Sequence, residues 1–463
     1  MDEKHLTELG TERIPRLLLK YAMPAIAAMV AASVLNIVDS FFIGNYAGKN
    51  AISGMAATLP FINLATAFGA MVGVGAGSVI SIRLGQKDAQ TANHVLGNTI
   101  TLNILIGLLV TIIGLLGMDT FLYWFGASDI TAPYAKDYMQ VLLLGNIVSH
   151  SFFGLNSVLR AGGHPQTAMY CTLLAVALNC VLDPLFIIVM DWGISGAAWA
   201  TVLSQLVSLL WQLRILNRSA EVLHFTPGTY KLHPSIVRQI LAIGASPFLT
   251  NACASLVVLF INQSMRRWGD TLPIENGGDA ALAAYGIDNR VVFFFLMIVI
   301  GLNHGMQPIA GYNWGARQDH RVRKVLILTM IAATCVTTIG FLTGEFFPHQ
   351  VVGIFIKDAP EVTAIAARGF RIDVAVFPIV GAQMVISSFF QSIGHAGKSI
   401  FLSMTRQMLF LIPGLYILPL WFGFDGVWWA IPLSDLLSFF VAVGMLMWLV
   451  RHLRKRNETH RTT

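Results

Sequence analysis

Two carboxylates lie inside long apolar segments of the sequence, where a charged side chain is costly. Asp39 is in the first such segment and Asp183 is in the fifth. A charge at the centre of a bilayer costs about 2.5–3.5 kcal/mol on insertion scales, so residues of this kind are candidates for function. Each has an amide at helical spacing, Asn36 three residues before Asp39 and Asn179 four residues before Asp183. These oxygens predict a site for a proton or a small cation such as Na⁺.

Pro184 adds a further oxygen next to this predicted site. It follows Asp183 and has no N–H, so the carbonyl of Cys180 loses its helical partner. A free carbonyl beside a carboxylate and an amide is a plausible ligand for a cation in a transporter. The alternative interpretation is that Asp39 and Asp183 are hydrogen-bonded structural links between helices.

Other polar groups occur in the second half of the chain. Asp373 and Asp435 have arginines within reach as partners, namely Arg290, Arg371 and Arg406, and structural pairing is the favoured interpretation. We keep Asp373 and Asn36 as additional polar residues of a cavity.

The elements that hold these residues are membrane-spanning helices. Apolar residues make up 55% of the 463 residues, charged residues 12%, and the mean hydropathy is +0.67, whereas soluble domains carry about 25% charged residues. A spanning helix needs about 20 apolar residues. Twelve such runs are predicted, near Leu17–Ile43, Ile52–Ile82, Val95–Leu116, Tyr134–Leu159, Thr167–Val189, Ser195–Leu213, Ile236–Met265, Ala280–Gly311, Val325–Phe347, Val362–Phe390, Ser399–Leu420 and Gly426–Val450.

The distribution of basic residues predicts the orientation. With a cytoplasmic N-terminus, 21 of the 30 Lys and Arg residues fall in inner segments and 5 in outer loops. This bias follows the positive-inside rule, and it places both termini in the cytoplasm. The net charge of +6 therefore faces the inner leaflet and does not indicate a nucleic-acid partner.

An internal repeat divides the chain into two halves. A shift of 230 positions aligns Gly75 with Gly305 and Gly85 with Gly315, and the block 193–208 with 423–438. Six helices is an even number, so the halves have parallel orientation. The predicted organisation is a six-helix bundle over 1–216, a cytoplasmic linker over 217–235, a second bundle over 236–450 and a basic cytoplasmic tail over 451–463.

The repeat also bears on the two aspartates. The first helix of each half matches at a shift of 223, where Asp39 aligns with Asn262, and at the shift of 230 Asp183 aligns near Ile412. Groups needed only for packing should more often occur in both halves, so this difference favours a functional role for Asp39 and Asp183.

The sequence contains none of the motifs of common catalytic or nucleotide sites. There is no P-loop, no H-E-x-x-H and no G-x-S-x-G, and the four cysteines lie in apolar runs without a C-x-x-C pair. We therefore expect a protein that is not an enzyme and has no cofactor. Transport would draw its energy from an ion gradient.

Several motifs together resemble the multidrug and toxic compound extrusion (MATE) family, in its bacterial DinF-type and MepA-like branches. They are Pro24, Val38-Asp39, Arg83-Leu84-Gly85-Gln86-Lys87, Arg160-Ala161-Gly162-Gly163-His164-Pro165, Leu182-Asp183-Pro184-Leu185-Phe186 and Gly193-Ile194-Ser195-Gly196-Ala197-Ala198. The resemblance covers nearly the whole chain.

The resemblance implies an all-α integral membrane protein of twelve helices in two parallel six-helix bundles, arranged as a V. It implies an antiporter that exports organic, often cationic, compounds in exchange for H⁺ or Na⁺. The cation ligands of family members match Asp39, Asn156, Asn179, Asp183 and Thr201. The chain departs from some relatives in the seventh helix, where Asn262-Gln263 stands in place of a glutamate.

Two alternatives remain for the function. A flippase of lipid-linked saccharides has a related layout and would favour a cavity rich in Arg and Lys. An exporter of an endogenous metabolite is the second. In each case we expect a monomer that contacts membrane lipid and takes small organic molecules.

The orientation can be tested with cysteines introduced at Ser219, in the linker, and at Asn276, in the longer outer loop. Labelling with a membrane-impermeant thiol reagent should place the two positions on opposite sides of the membrane, because an odd number of spans separates them. Labelling from the same side would contradict the twelve-helix topology.

Overall fold

The computed structural model describes residues 3–217, 222–356 and 359–459, and the described chain is helical. Eleven of its helical stretches are long and apolar enough to cross a membrane, and a bent pair completes a twelfth. The first half contains the helices α1 (Glu3–Thr11), α2 (Ile14–Phe42), α3 (Lys49–Gly85), α4 (Ala89–Leu116), α5 (Met118–Trp124), α6 (Ala132–Leu144), α7 (Asn146–Ala161), α8 (Pro165–Pro184) and α9 (Gly193–Leu216).

The second half repeats this order. It contains α10 (Pro234–Gly269), α11 (Gly277–Gly315), α12 (Asp319–Phe346), α13 (Pro348–Phe355), α14 (Pro360–Asp373), α15 (Phe377–Ser392), α16 (Ala396–Met404), α17 (Ile412–Phe422) and α18 (Phe424–Thr459). The short helices α5 and α13 occupy equivalent positions in the two halves of the repeat. The predicted number of spans is confirmed, and the helices begin and end a few residues beyond most of the predicted apolar runs because their ends are polar.

The repeat extends to the breaks in the spans. In the first half, α6 and α7 are bent by 53° at Gly145. At the equivalent place in the second half, a 3₁₀ turn over Val374–Val376 separates α14 from α15. Three π-helical segments also interrupt spans, over Ile43–Ala47, Leu185–Val189 and Thr405–Leu411. The periodicity of apolar residues predicts neither the breaks between paired helices nor the π-helical segments.

The segment between the halves is attached to α4. The amide of Asn98 donates to the carbonyls of Thr229 (3.0 Å) and Lys231 (2.9 Å), and its oxygen accepts from the backbone N–H of His233 (2.9 Å). Residues 218–221 of the predicted linker, with Ser219, lie outside the described residues, as do the last four of the predicted basic tail. The rest of that tail, through Thr459, continues α18.

The two halves exchange their first helices. Leu17, Tyr21 and Ala22 of α2 pack in the core of the second half, against α11, α12 and α15. Ile240 and Ile243 of α10 pack in the core of the first half. Both exchanges occur where α2 and α10 begin, which we call the termini side of the bundle.

Glycines permit the closest contacts on the termini side. A Cβ atom at Gly85 would overlap the carbonyl oxygen of Tyr312, and one at Gly315 would overlap the carbonyl oxygen of Ile82. Gly75 and Gly244 meet the backbones of Ile240 and Met71 in the same way. Gly85 and Gly315 are equivalent in the repeat, so α3 and α11 approach each other symmetrically. The halves are therefore closed together on the termini side.

A short N-terminal helix that the sequence analysis did not predict adds to this closure. Arg321 of α12 donates to the carbonyls of Leu9 (3.0 Å) and Glu12 (2.8 Å), and Leu9 is fully buried. Glu8 forms an ion pair with Lys20 at 2.5 Å. The polar first residues therefore form α1, which joins α2 to the second half.

Replacement of Gly85 by Ala tests the closed interface. The added Cβ would overlap backbone atoms of α11 that cannot move independently, and overpacking of this kind costs about 1–3 kcal/mol. We expect a lower midpoint of thermal unfolding for the purified protein. Gly444→Ala is the matched control, since no atom lies within 4 Å of its added Cβ. An equal loss of stability in both variants would contradict the interpretation.

Candidate functional site

Four of the predicted site residues meet at one place in the first half. Asp39 lies in the last turn of α2, Asn179 and Asp183 lie on one face of α8, and Thr201 lies on α9. The carboxyl groups of Asp39 and Asp183 lie beside each other, both within hydrogen-bonding distance of the Asn179 amide. Asn179 and Asp183 are buried, with relative exposures of 1% and 0%.

The Asn179 amide joins the members of this cluster. With its nitrogen turned toward the carboxyls, it donates to Asp39 Oδ1 (2.9 Å) and Asp183 Oδ2 (3.2 Å). Its oxygen then accepts from the hydroxyl and the backbone N–H of Thr201, each at 3.1 Å. The opposite orientation would set the amide oxygen against two carboxyl groups. The other oxygen of Asp183, Oδ1, has no hydrogen-bond partner among the described residues.

Two π-helical segments adjoin the cluster. One begins at Ile43, four residues after Asp39, and the other begins at Leu185, directly after Pro184. The second follows from the missing N–H of Pro184, which disrupts the regular α-helical ladder. π-Helical turns are frequent at functional sites because they shift side chains out of the regular helical register.

The structure does not bring Asn156 into this cluster. Its amide donates to the carbonyl of Ala168 (2.8 Å) and to the hydroxyl of Thr172 (3.1 Å), and its oxygen accepts from Arg160. Thr172 precedes Asn179 by seven residues, about 10 Å along the helix axis at 1.5 Å per residue. The side chain of Asn36 lies outside the described part of the chain.

Tyr138 on α6 is a neighbour of the cluster that sequence reasoning missed. It is 9% exposed and close enough to interact electrostatically with both Asp39 and Asp183. A tyrosine in an apolar run has no distinctive spacing, so nothing in the sequence singled it out.

A second group of buried carboxyls lies in the other half. Asp288 on α11 and Asp373 at the end of α14 lie close enough to interact electrostatically, with exposures of 1% and 9%. Asp435 on α18 is close to Asp373 and forms an ion pair with Arg406, Nε to Oδ1 at 2.5 Å. The predicted pairing of Asp435 with an arginine is thus present. Asp373 lies beside a carboxyl and interacts electrostatically with Arg406, and among the described contacts it has none with Arg290 or Arg371.

Asp288 was missed by the sequence analysis, although a signal was present. It lies in the middle of a long apolar run, which is the same criterion that selected Asp39 and Asp183. The second half lacks carboxyls at the equivalent positions but has its own pair elsewhere.

A cavity of about 340 Å³ lies in the second half beside this group and is closed on one side by α3. Its walls come from α10, α11, α15, α16 and the π-helical segment that follows α16. Arg406 is in the wall, and Asp373, which we had expected as a cavity residue, is not among the described residues that line it.

The sequence profile of the MatE family matches residues 24–185 and 255–417, one segment in each half. The chain belongs to the MATE family. The two matched segments begin at Pro24 and Ser255 and cover most of the spans of each bundle.

Relatives of known annotation match over nearly the full length. The MATE chain is similar to the multidrug export protein MepA of Staphylococcus haemolyticus strain JCSC1435, with 27% identity over 98% of this chain and 97% of the relative. MepA of Staphylococcus aureus strain N315 is 26% identical, with 97% of each chain covered. These relatives are exporters and not enzymes, and the protein is a multi-pass membrane transporter of this family.

Solved structures of MATE proteins share the fold. One described as MATE in the bent conformation matches with a TM-score of 0.90 at 22% identity, covering 98% of this chain and 99% of the other. Another, an outward-facing multidrug resistance MATE family transporter, matches with a TM-score of 0.89 at 23% identity, covering 96% and 98%. The expected MATE-like fold is confirmed.

The buried ion pair in this MATE protein gives a testable consequence for stability. Arg406→Met would leave Asp435, which is 3% exposed, without its partner. Breaking a buried pair in this way costs about 3–5 kcal/mol, while replacing both members by apolar residues costs much less. We expect a large drop in the unfolding midpoint of Arg406→Met and substantial recovery in Arg406→Met/Asp435→Leu.

The matched control for this comparison is the exposed ion pair between Arg368 and Asp425. Because exposed pairs contribute about 0–1 kcal/mol, Arg368→Met should change the midpoint little. A double variant no more stable than Arg406→Met would contradict the assignment of Arg406 as the partner of Asp435.

Proposed function

We propose that the protein is an antiporter that exports small organic compounds across the bacterial cytoplasmic membrane in exchange for ions, with both termini in the cytoplasm. The observation that carries this proposal is the contact between Asp39 and Asp183 inside the first bundle. Two carboxyls in contact away from water cannot both stay ionised without a proton or a cation between them. The pair is therefore a place where an ion can be loaded and released.

The distances favour H⁺ as the coupling ion. The Asn179 amide lies at hydrogen-bonding distance from both Asp39 and Asp183, and its own oxygen is engaged by Thr201. A Na⁺ ion would take the opposite orientation of the amide, with its oxygen toward the carboxyls, and would require the carboxyls to separate around the ion. Asn156, the fifth oxygen ligand implied by the family resemblance, binds elsewhere.

Helix α2 can transmit the state of this pair to the rest of the molecule. Its far end holds Asp39 against α8, and its beginning packs in the core of the second half. Pro24 lies between the two contacts and removes one helical hydrogen bond. A change of ion occupancy at Asp39 would therefore alter a helix that both halves share, and so bias the bundles between inward-open and outward-open states.

The flippase alternative receives little support from the cavity. A lipid-linked saccharide carries phosphate, for which a cavity rich in Arg and Lys is expected. The described lining has one arginine, Arg406, and its charge is neutralised by Asp435. A small-molecule exporter, of drugs or of a metabolite, is the better-supported function.

Conservative variants of the two aspartates test the proposal. Asp39→Asn and Asp183→Asn keep the shape of the side chain but remove its charge, so we expect both to fold and insert while gradient-driven efflux is lost. The double variant should be little worse than either single variant, because the two groups act as a unit. The measurement is efflux of a fluorescent dye from proteoliposomes with a proton gradient or a sodium gradient imposed separately.

Asp119→Asn is the control for charge removal, since Asp119 is exposed and forms an ion pair with Lys136. It should transport at the unmodified rate. Efflux near that rate in both Asp39→Asn and Asp183→Asn, at equal membrane expression, would falsify the assignment. Efflux driven by the sodium gradient alone would replace H⁺ by Na⁺ as the coupling ion.

A further inference from the structure

One amide side chain makes hydrogen bonds across the contact between α3 and α11. The amide nitrogen of Gln307 on α11 donates to the carbonyl of Val74 (3.0 Å) and to the hydroxyl of Ser78 (2.9 Å), both on α3. Among the described residues, these two are the side-chain hydrogen bonds that join α3 to α11. Gln307 is 5% exposed and Ser78 is fully buried, so water competes little for either bond.

Gln307 lies where the cavity of the second half ends and the closed interface begins. Both Gln307 and Val74 line the cavity. One helical turn further along α11, a Cβ atom added at Gly311 would lie 2.8 Å from the Cβ of Ser81 on α3. The other glycine contacts between α3 and α11 follow toward the termini side. The hydrogen bonds of Gln307 are therefore located between the cavity and the termini side.

The repeat shows that close packing of α3 and α11 does not require this amide. A shift of 230 positions aligns Gln307 with Gly77, which has no side chain, whereas the glycines that permit the close approach occur in both halves. A Cβ atom added at Gly77 would lie 3.5 Å from the Gln307 amide nitrogen, which is an ordinary contact distance. The amide thus adds an interaction that only one half supplies.

Opening of the termini side would break both hydrogen bonds in one step. Gln307 belongs to the second half, and Val74 and Ser78 belong to the first, so separation of α3 from α11 leaves the amide to water. The net contribution of a buried hydrogen bond is modest. Two of them together bias the equilibrium between closed and open arrangements by about tenfold, which corresponds to about 1.4 kcal/mol.

We propose that Gln307 is a latch that holds the two halves together on the termini side and controls how often the molecule opens there. The inference rests on the proposed export function, because an exporter has to open on both sides of the membrane. It adds a positioning residue to that function. Gln307 acts through its bonds to Val74 and Ser78, and it is separate from the carboxyl pair of the first half.

The reactivity of a cysteine in the closed interface tests the proposal. Ser81→Cys places a thiol at a fully buried position beside Gly311. Cys171, which is fully buried in the core of the first half, is retained as an internal control. The other native cysteines are replaced by Ala, namely Cys180, Cys253 and Cys335. The measurement is the rate at which a small charged thiol reagent, 2-sulfonatoethyl methanethiosulfonate, modifies each cysteine of the full-length protein in nanodiscs without an ion gradient.

Gln307→Ala should raise the rate of modification at position 81 about tenfold, because the closed arrangement loses both hydrogen bonds while the open one loses only contacts with water. Ser78→Ala should raise the rate less, since the bond to Val74 remains. The double variant should react at the rate of Gln307→Ala, because Ser78 acts through the amide.

Gln391→Ala is the matched control for removal of an amide. Gln391 lines the same cavity, and its side chain makes none of the described hydrogen bonds to α3. The rate at position 81 should therefore stay at its unmodified value in Gln391→Ala. The rate at Cys171 should stay unchanged in every variant, since release of the latch opens the interface and leaves the core of each half packed.

An unchanged rate at position 81 in Gln307→Ala overturns the inference. An equal rise in Gln391→Ala, or faster modification of Cys171 in Gln307→Ala, overturns it as well, since either result indicates general loosening of the fold. Because no gradient is present, the expected rates in a protein without gradient-driven efflux would contradict the export proposal and leave the latch supported. Gradient-driven efflux together with an unchanged rate in Gln307→Ala would do the reverse.

Discussion

A charged side chain in the interior of a membrane protein is tolerated only beside a partner, and this constraint organises both halves of the molecule. In the first half the Asn179 amide and a second carboxyl accompany Asp39 and Asp183. In the second half Arg406 accompanies Asp435, while Asp373 lies against Asp288. The π-helical segments lie at or next to these groups, where regular helices would not bring the side chains together. Departures from helical regularity in this chain thus occur where buried charge has to be satisfied.

The exchange of first helices gives these buried groups mechanical consequences. Because α2 contributes to the core of one half at its beginning and to the carboxyl pair of the other at its end, neither half can rearrange without it. The glycines of α3 and α11 bring the two backbones into contact on the termini side, so small changes in the direction of α2 act on a tight interface. Packed interfaces of this kind favour discrete arrangements over gradual deformation. A pair of carboxyls near one end of a helix can thereby influence contacts at its other end.

Sequence reasoning predicted what depends on composition and local spacing, and it missed what depends on how helices meet. The twelve spans, the repeat and the shared face of Asn179 and Asp183 follow from apolar length and helical periodicity. The contact of Asp39 with Asp183 needed the family resemblance, because no local pattern joins α2 to α8. Asn156 was grouped with this cluster by resemblance, whereas its short-range contacts with Arg160 and Ala168 hold it about two helical turns away. The helix α1 was missed since it is polar and is stabilised by α12, not by its own sequence. Asp288 could have been found by applying the intramembrane criterion evenly to both halves.

The neutrality of the cavity in the second half depends on the same constraint as the carboxyl pair in the first. Arg406 lies in the cavity wall, yet its charge is balanced from behind by Asp435, which is close to Asp373. The charge of Arg406 is therefore balanced even though its side chain lines the cavity. If the guanidinium of Arg406 lacked the carboxylate of Asp435, the cavity would favour anions. If the carboxylate faced the cavity in place of the guanidinium, the cavity would favour cations. The charge preference of the cavity thus depends on which member of the ion pair between Arg406 and Asp435 lines its wall.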